Sequence, residues 1–295
     1  MDKKQIQSKY AIVITIIICL SFLCGVLWQR YYGVHHFLID LGVRTIEYSD
    51  NSDRIEYDIT DLKKPLVILI YGQSNVANTV SQKSQTSLPI FNFYKGKLYQ
   101  ARDPLLGATG KLGSLWIDAA IKLLEKSDYK EIILVNGARN NSSIKDWAPE
   151  GIFYKTLNDT YHQLTKLHLA PHLIVFGQGE RDSIDNMPSR NYALHLKSLY
   201  NNIQSIHGNK PFLISLSSRC YAYLPNNNIR QMQLKLINDY PSVFQGPDTD
   251  SFNESYRYDG CHFNKLGKQM ISNIWANKIH TALTHQTQKF DNGIM

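Results

Sequence analysis

Ser74, Asp259 and His262 have the composition of a nucleophile, an orienting carboxylate and a general base. Ser74 stands in Gly72-Gln73-Ser74-Asn75, directly after the apolar run Leu66–Tyr71. A serine on a tight turn beyond a buried strand presents its hydroxyl outward and its backbone N–H groups to an oxyanion. The plainer alternative is a polar loop in which Ser74 caps a helix. Against it stands the far end of the chain, Arg257-Tyr258-Asp259-Gly260-Cys261-His262-Phe263-Asn264, where a carboxylate and an imidazole lie three residues apart before a helix. Acyl transfer needs these three groups together with donors for a tetrahedral oxyanion. Of the other histidines, His35 and His36 lie in the stretch 29–64, where they read as interfacial or packed residues, and the rest fall on helices, near strand starts or in the tail, so His262 is the expected base.

Three polar motifs occur in order: Gly72-Gln73-Ser74-Asn75, Gln178-Gly179-Glu180 with Asp182, and Asp259-Gly260-Cys261-His262-Phe263-Asn264. In this order they resemble the sialate O-acetylesterase-like carbohydrate esterases of the SGNH (GDSL-like) hydrolase superfamily, over about Leu66 to Leu283. The resemblance implies a three-layer α/β/α sandwich and removal of O-acetyl groups from a carbohydrate through an acyl-enzyme. It also implies an oxyanion hole from the Ser74 N–H, a residue after the second strand, and the Gln178 side chain. Gln73 and Asn75 are expected among the oxyanion- and substrate-binding residues, and Glu180 and Asp182 as organisers of the cleft, with Glu180 also at the substrate. At the second position relatives read Gly-Gly-[Ser/Thr]-Ser-Ile, whereas this chain reads Asn140-Asn141-Ser142-Ser143-Ile144. Asn141 tolerates left-handed backbone angles and still offers its N–H. Two alternatives remain open: an O-acetyltransferase acting on a surface polysaccharide with the same residues, and a catalytically weak carbohydrate-binding relative. Trp147 either stacks on a sugar ring or fills the core.

The elements that must position these residues follow from hydrophobic patterning. Leu66–Tyr71, Glu131–Val135, Leu173–Phe176, Pro211–Leu216 and Ser242–Gln245 read as buried strands, alternating with amphipathic helices that end in the segment from Leu266. This predicts a parallel, flavodoxin-like sheet of about five strands, with ligands bound beyond the strands' carboxyl ends. The Ser74, Asn141 and Gln178 motifs all fall at such ends. Residues 78–113 read as a long polar loop lining the cleft.

Among 295 residues, 43% are hydrophobic and 19% charged, as in an ordinary folded domain. The net charge of +7 is scattered, with no basic stripe, so nucleic acid is not an expected partner. No Cys/His spacing suggests zinc, and the chemistry needs no metal or organic cofactor. Ala11–Trp28 carries no charge and is preceded by Lys3, Lys4 and Lys9. About 18 residues rise ~27 Å, enough to span a bilayer core, so a transmembrane signal-anchor with the domain exported (periplasmic or extracellular) is expected. A cleaved signal peptide and a core helix are the competing readings. The expected organisation is a cytoplasmic N-terminus (1–10), the anchor (11–28), a stem (29–64), the catalytic domain (65–285) and a polar tail (286–295). In an exported domain Cys220 and Cys261, both in loops at the catalytic end, are expected to pair as a disulfide.

Overall fold

The protein is described here by a computed structural model covering residues 13–26 and 46–291, with side chains up to residue 285. Residues 13–26 form a helix whose side chains are all exposed. Among the described residues no helix is long and apolar enough to cross a membrane. The ends of the expected 11–28 span lie outside the described residues, as do His35 and His36.

The second unit begins at Glu47. Its centre is an eight-stranded sheet, where a parallel sheet of about five strands was expected. In chain order the strands are β1 (Glu56–Tyr57), β2 (Pro65–Gly72), β3 (Ile90–Tyr94), β4 (Lys97–Gln100), β5 (Glu131–Asn136), β6 (Leu173–Gly177), β7 (Phe212–Leu216) and β8 (Val243–Asp248). Their spatial order is β1-β4-β3-β5-β2-β6-β7-β8. From β3 to β8 neighbours run parallel, while β4 pairs antiparallel with both β3 and β1. The five expected strands are β2, β5, β6, β7 and β8.

The additional strands come from segments whose polar residues hid them. Residues 90–100 sit inside the expected cleft loop but form a hairpin, turned at Lys95 (φ 48°) and Gly96 (φ 80°). Two consecutive positive φ values make the tight reverse turn whose twist matches the flanking strands. Asn92 interrupts the apolar pattern of β3 because it is buried for another purpose. Its side chain accepts from the Leu106 N–H (2.6 Å) and donates to the carbonyls of Phe93, Leu106 and Leu134.

β2 is buried on both faces. Leu66, Ile68 and Ile70 pack with Trp116, Ile117, Ile271 and Trp275, from α1 (Trp116–Lys126) and α5 (Lys265–Asp291). Val67, Leu69 and Tyr71 face the opposite layer, built from α2 (Tyr154–Lys166), α3 (Ser189–His207) and α4 (Asn227–Asp239). The expected three layers are therefore present. Burying each of these strand side chains is worth about 2 kcal/mol, which fixes β2 at the centre. α5 runs to Asp291, through part of the expected polar tail.

Residues 47–64, expected as the end of a stem, belong to the fold. β1 closes one sheet edge, Arg54 donates to the carbonyls of Arg102 (2.5 Å) and Pro104 (2.6 Å), and Glu47 accepts from the buried Arg139 at 2.9 Å. Removing one partner of a buried ion pair costs about 3–5 kcal/mol. A chain begun at Pro65 should accordingly be less stable than one begun at Glu47 by at least about 3 kcal/mol in urea unfolding; equal midpoints would show that residues 47–64 contribute nothing.

Candidate active site

The site is built where β2 and β6 end together. Gly72 and Gly177 pair in register, and Gly72 has φ 122°. A Cβ on Gly72 would overlap the Gly177 carbonyl, so only glycine lets the two strand ends approach this closely. The Gln73 N–H donates to the Gly177 carbonyl at 2.8 Å, and the chain then folds into a single 3₁₀ turn, Ser74–Val76. Ser74 stands at the start of this turn, almost completely buried. The turn is fastened from three sides. The Thr79 hydroxyl donates to the Ser74 carbonyl (2.6 Å), while Trp116 Nε1 (2.7 Å) and Asn136 Nδ2 (3.0 Å) both donate to the Val76 carbonyl.

The expected base and carboxylate are brought together. His262 Nδ1 lies 2.7 Å from Asp259 Oδ2, and Asp259 Oδ1 accepts the N–H groups of Cys261 (2.9 Å) and His262 (2.7 Å). Burial pushes the Asp259 carboxyl up, but the bonds from the His262 ring and the two backbone N–H groups outweigh it and hold it below its ordinary value. An ionised Asp259 fixes the proton on Nδ1 and leaves Nε2 available as a base.

This loop is tied to the serine loop across 179 residues of sequence by Tyr258, whose hydroxyl donates to the Thr79 carbonyl at 3.1 Å. The Ser81 N–H donates to the Phe263 carbonyl at 3.1 Å. Arg257, named in the motif but given no part in the chemistry, holds the loop from within. Its buried guanidinium donates to the carbonyls of Phe252, Thr249 and Cys261 and lies over the Phe263 ring. The expected Cys220–Cys261 disulfide is present, with Cα atoms 4.2 Å apart. In the chain-entropy picture a loop of this length contributes about 4 kcal/mol, less any strain. Asp250, which the sequence did not single out, anchors the Cys220 side. Its carboxylate accepts from the N–H groups of Ser218 and Arg219, the Ser218 hydroxyl and Arg230.

The remaining expected residues divide between the cleft and its support. Asn141 adopts φ 60°, the left-handed conformation that a glycine would take there, and its Nδ2 is buried with no hydrogen-bond partner. Gln178 is placed differently from expectation. It is fully buried, and its amide nitrogen donates to Asp182 and to the Ser142 carbonyl, so this donor is already committed within the protein. Gln73 accepts at Oε1 from the N–H groups of Gly179 (3.3 Å) and Arg181 (3.2 Å), joining the first and second motifs at the ends of β2 and β6. Asp182 accepts from the Ser143 hydroxyl and the Ile144 N–H, fixing the turn after Asn141. Trp147 is fully buried, its Nε1 donating to Ser142 Oγ at 2.8 Å, so it fills the core instead of meeting a sugar.

Glu180 is buried with Oε1 accepting from Asn75 Nδ2 (2.7 Å) and Oε2 unpartnered. Burial pushes its carboxyl up to about 7, against the opposing Asn75 bond. Two strand-end motifs are thus coupled beside Ser74 through a carboxyl that favours its neutral form. Among the described residues no group of acidic, histidine and cysteine side chains could hold a metal ion.

The fold is a mixed α/β sheet covered by helices on both faces, with the candidate site at one end of it. The sequence matches the carbohydrate esterase family of sialic acid-specific acetylesterases over residues 64–281, and the chain belongs to that family. It is an esterase. Similar solved structures include a protein from Arabidopsis thaliana, 16% identical with a TM-score of 0.61, covering 74% of this chain and 98% of that one. A carbohydrate acetylesterase from Xanthomonas citri is 17% identical with a TM-score of 0.55, covering 74% of this chain and 57% of that one. A protein described as a GDSL-like lipase from Parabacteroides merdae is 14% identical with a TM-score of 0.51, covering 75% and 98%. At these identities the likeness is one of fold. No curated protein matches the sequence.

The buried Glu180 gives the folded protein a pH signature. Its carboxyl binds a proton more tightly folded than unfolded, so its contribution to stability is complete below about pH 4.5 and is lost as the pH rises through about 7. A shift of that size corresponds to roughly 3 kcal/mol. Asp259, held low, has the opposite sign and its contribution is lost only in acid. Glu180→Gln, which keeps an acceptor for Asn75, should flatten the fall in urea stability between pH 5 and pH 8. A variant whose stability falls as steeply as the wild type's would place the titration elsewhere.

Proposed function

We propose that the protein removes O-acetyl groups from a carbohydrate through an acyl-enzyme on Ser74. The observation that carries this reading is the 2.7 Å Asp259–His262 pair, held on a loop bonded to the loop that follows Ser74. Ser74 Oγ attacks the acetyl carbonyl carbon while His262 Nε2 takes the hydroxyl proton. The tetrahedral oxyanion is met by the backbone N–H groups of Ser74 and Asn141, with Gln178 and Asp182 bracing the Asn141 turn from behind. His262 then gives the proton to the departing sugar oxygen, and the acetyl group remains on Ser74. Water, deprotonated by His262, attacks that acetyl ester, and acetate leaves as Ser74 regains its proton. Asp259 orients the imidazole and stabilises its charged form at each stage. Glu180, buried and paired to Asn75, acts on the position of the serine turn and not on the proton.

The same reading places the domain outside the cytoplasm on an uncleaved anchor at 11–28. Its support is the run of uncharged residues after Lys3, Lys4 and Lys9, together with a disulfide of the kind that persists in oxidising compartments. Alkaline carbonate washing of membranes should leave the full-length chain in the pellet; a shortened, soluble protein would refute the anchor.

For the chemistry, acetate release should be abolished by Ser74→Ala and nearly so by His262→Ala, with circular dichroism unchanged. Asp259→Asn should keep the loop but lose the working tautomer, lowering turnover by about 10⁴. The three losses should be far from additive, since the residues act as a unit. Near-wild-type turnover in a folded Ser74→Ala or His262→Ala variant would exclude the assignment.

A further inference from the structure

With Trp147 in the core, the aromatic surface beside the site comes from elsewhere. Tyr258 is 46% exposed, and its ring lies 29° from the His262 imidazole plane at 6.0 Å between centroids. Tyr221 is 39% exposed and meets the same imidazole edge-on, at 85° and 6.3 Å. Soluble surfaces carry isolated exposed aromatics, but two on the same candidate catalytic ring form a contiguous platform.

Both rings are held by features that packing of the loops alone does not require. The Tyr258 hydroxyl is bonded to the Thr79 carbonyl, and the Thr79 hydroxyl to the Ser74 carbonyl, so this ring is keyed to the nucleophile turn. Tyr221 occupies φ 53° in the turn closed by the Tyr223 N–H on the Cys220 carbonyl (3.1 Å). A bulky residue in that conformation is costly and persists where its surroundings hold it, often at sites of binding. The loops carrying the two tyrosines are joined one residue before Tyr221 and three after Tyr258, by the Cys220–Cys261 disulfide. Gly260 packs directly on the Tyr221 backbone, where a Cβ would stand 3.4 Å from its Cα.

We propose that Tyr221 and Tyr258 form an aromatic clamp that holds a pyranose ring of the substrate against the site, next to His262. This assignment rests on the carbohydrate esterase reading and names the part of the site that would recognise the sugar rather than its acetyl group. A pyranose has a face of C–H groups and a rim of hydroxyls. A tyrosine matches both, with an apolar ring face and a hydroxyl at its edge. The two rings are pre-positioned by the disulfide and the Thr79 bond, so little side-chain freedom is lost when the sugar docks. A sugar ring beside His262 puts its ester oxygen within reach of the imidazole that protonates it. The clamp therefore contributes to selection between sugar esters and other acetyl esters.

The test compares glucose pentaacetate, a pyranose ester, with glyceryl triacetate, which has no ring. The Tyr221→Ala/Tyr258→Ala double variant should raise KM for the pyranose ester about tenfold more than for glyceryl triacetate, while loss of the Tyr258–Thr79 bond lowers kcat on both esters alike. Tyr221→Trp, which keeps an aromatic face, should retain the preference of the wild type. Independently of turnover, saturation-transfer NMR on the Ser74→Ala protein should show contact to the ring protons of glucose pentaacetate, lost in the double variant. If turnover fails on both esters while this tyrosine-dependent contact remains, the esterase reading falls and the clamp stands. Equal changes in KM on the two esters, or ring-proton contact unaffected by the double variant, would overturn the clamp.

Discussion

The close approach of β2 and β6 at Gly72 and Gly177 is the constraint on which the site depends. Without side chains at this crossing, Gln73 can bond the Gly177 carbonyl through its backbone and the turn after β6 through its side chain. Ser74 is thereby held above the middle of the sheet by the two strand ends together with the bonds that fasten its turn. β2 can take this position because both of its faces are apolar. A central strand flanked on each side by parallel neighbours ends in a crevice, where the buried polar residues bond one another instead of entering the apolar core.

The second half of the site arrives from the other end of the chain and has to be fixed against the first. A short loop carrying a base has little apolar surface of its own, so its position depends on directional bonds. Asp259 binds the loop's own N–H groups as well as the imidazole. Arg257 satisfies three carbonyls from below, and the disulfide joins the loop to the segment after β7. Tyr258 and Phe263 complete the connection to the segment after Ser74. The same bonds that immobilise His262 also fix the exposed tyrosines beside it. The proposed catalytic geometry and the proposed sugar clamp therefore share one scaffold.

Much of this was legible in the sequence because the elements that matter most carry strong signals. Continuous apolar runs marked β2, β5, β6 and β7, and the polar motifs beyond β2, β5 and β6 pointed to one end of the sheet. The Asp259–His262 spacing and the pairing of Cys220 with Cys261 were also readable. The β3–β4 hairpin was not, because Asn92 sits in it as a buried polar strut and Lys95-Gly96 is a less common turn pair than Asn-Gly. Residues 47–64 read as a stem since their contribution is a buried ion pair and an edge strand, neither of which leaves a periodic pattern. Gln178 shows a further limit. Its presence was evident, but whether its amide faces the cleft or Asp182 is decided by the third dimension.

The most direct measurement of the central claim is labelling of the native chain with a fluorophosphonate, followed by peptide mass spectrometry. Such a reagent is attacked by a serine only when an adjacent base activates it in a site that binds the phosphoryl oxygen. One adduct per chain, on Ser74 and dependent on an intact His262, is the predicted result. An unlabelled chain, or an adduct on a different serine, would contradict the account.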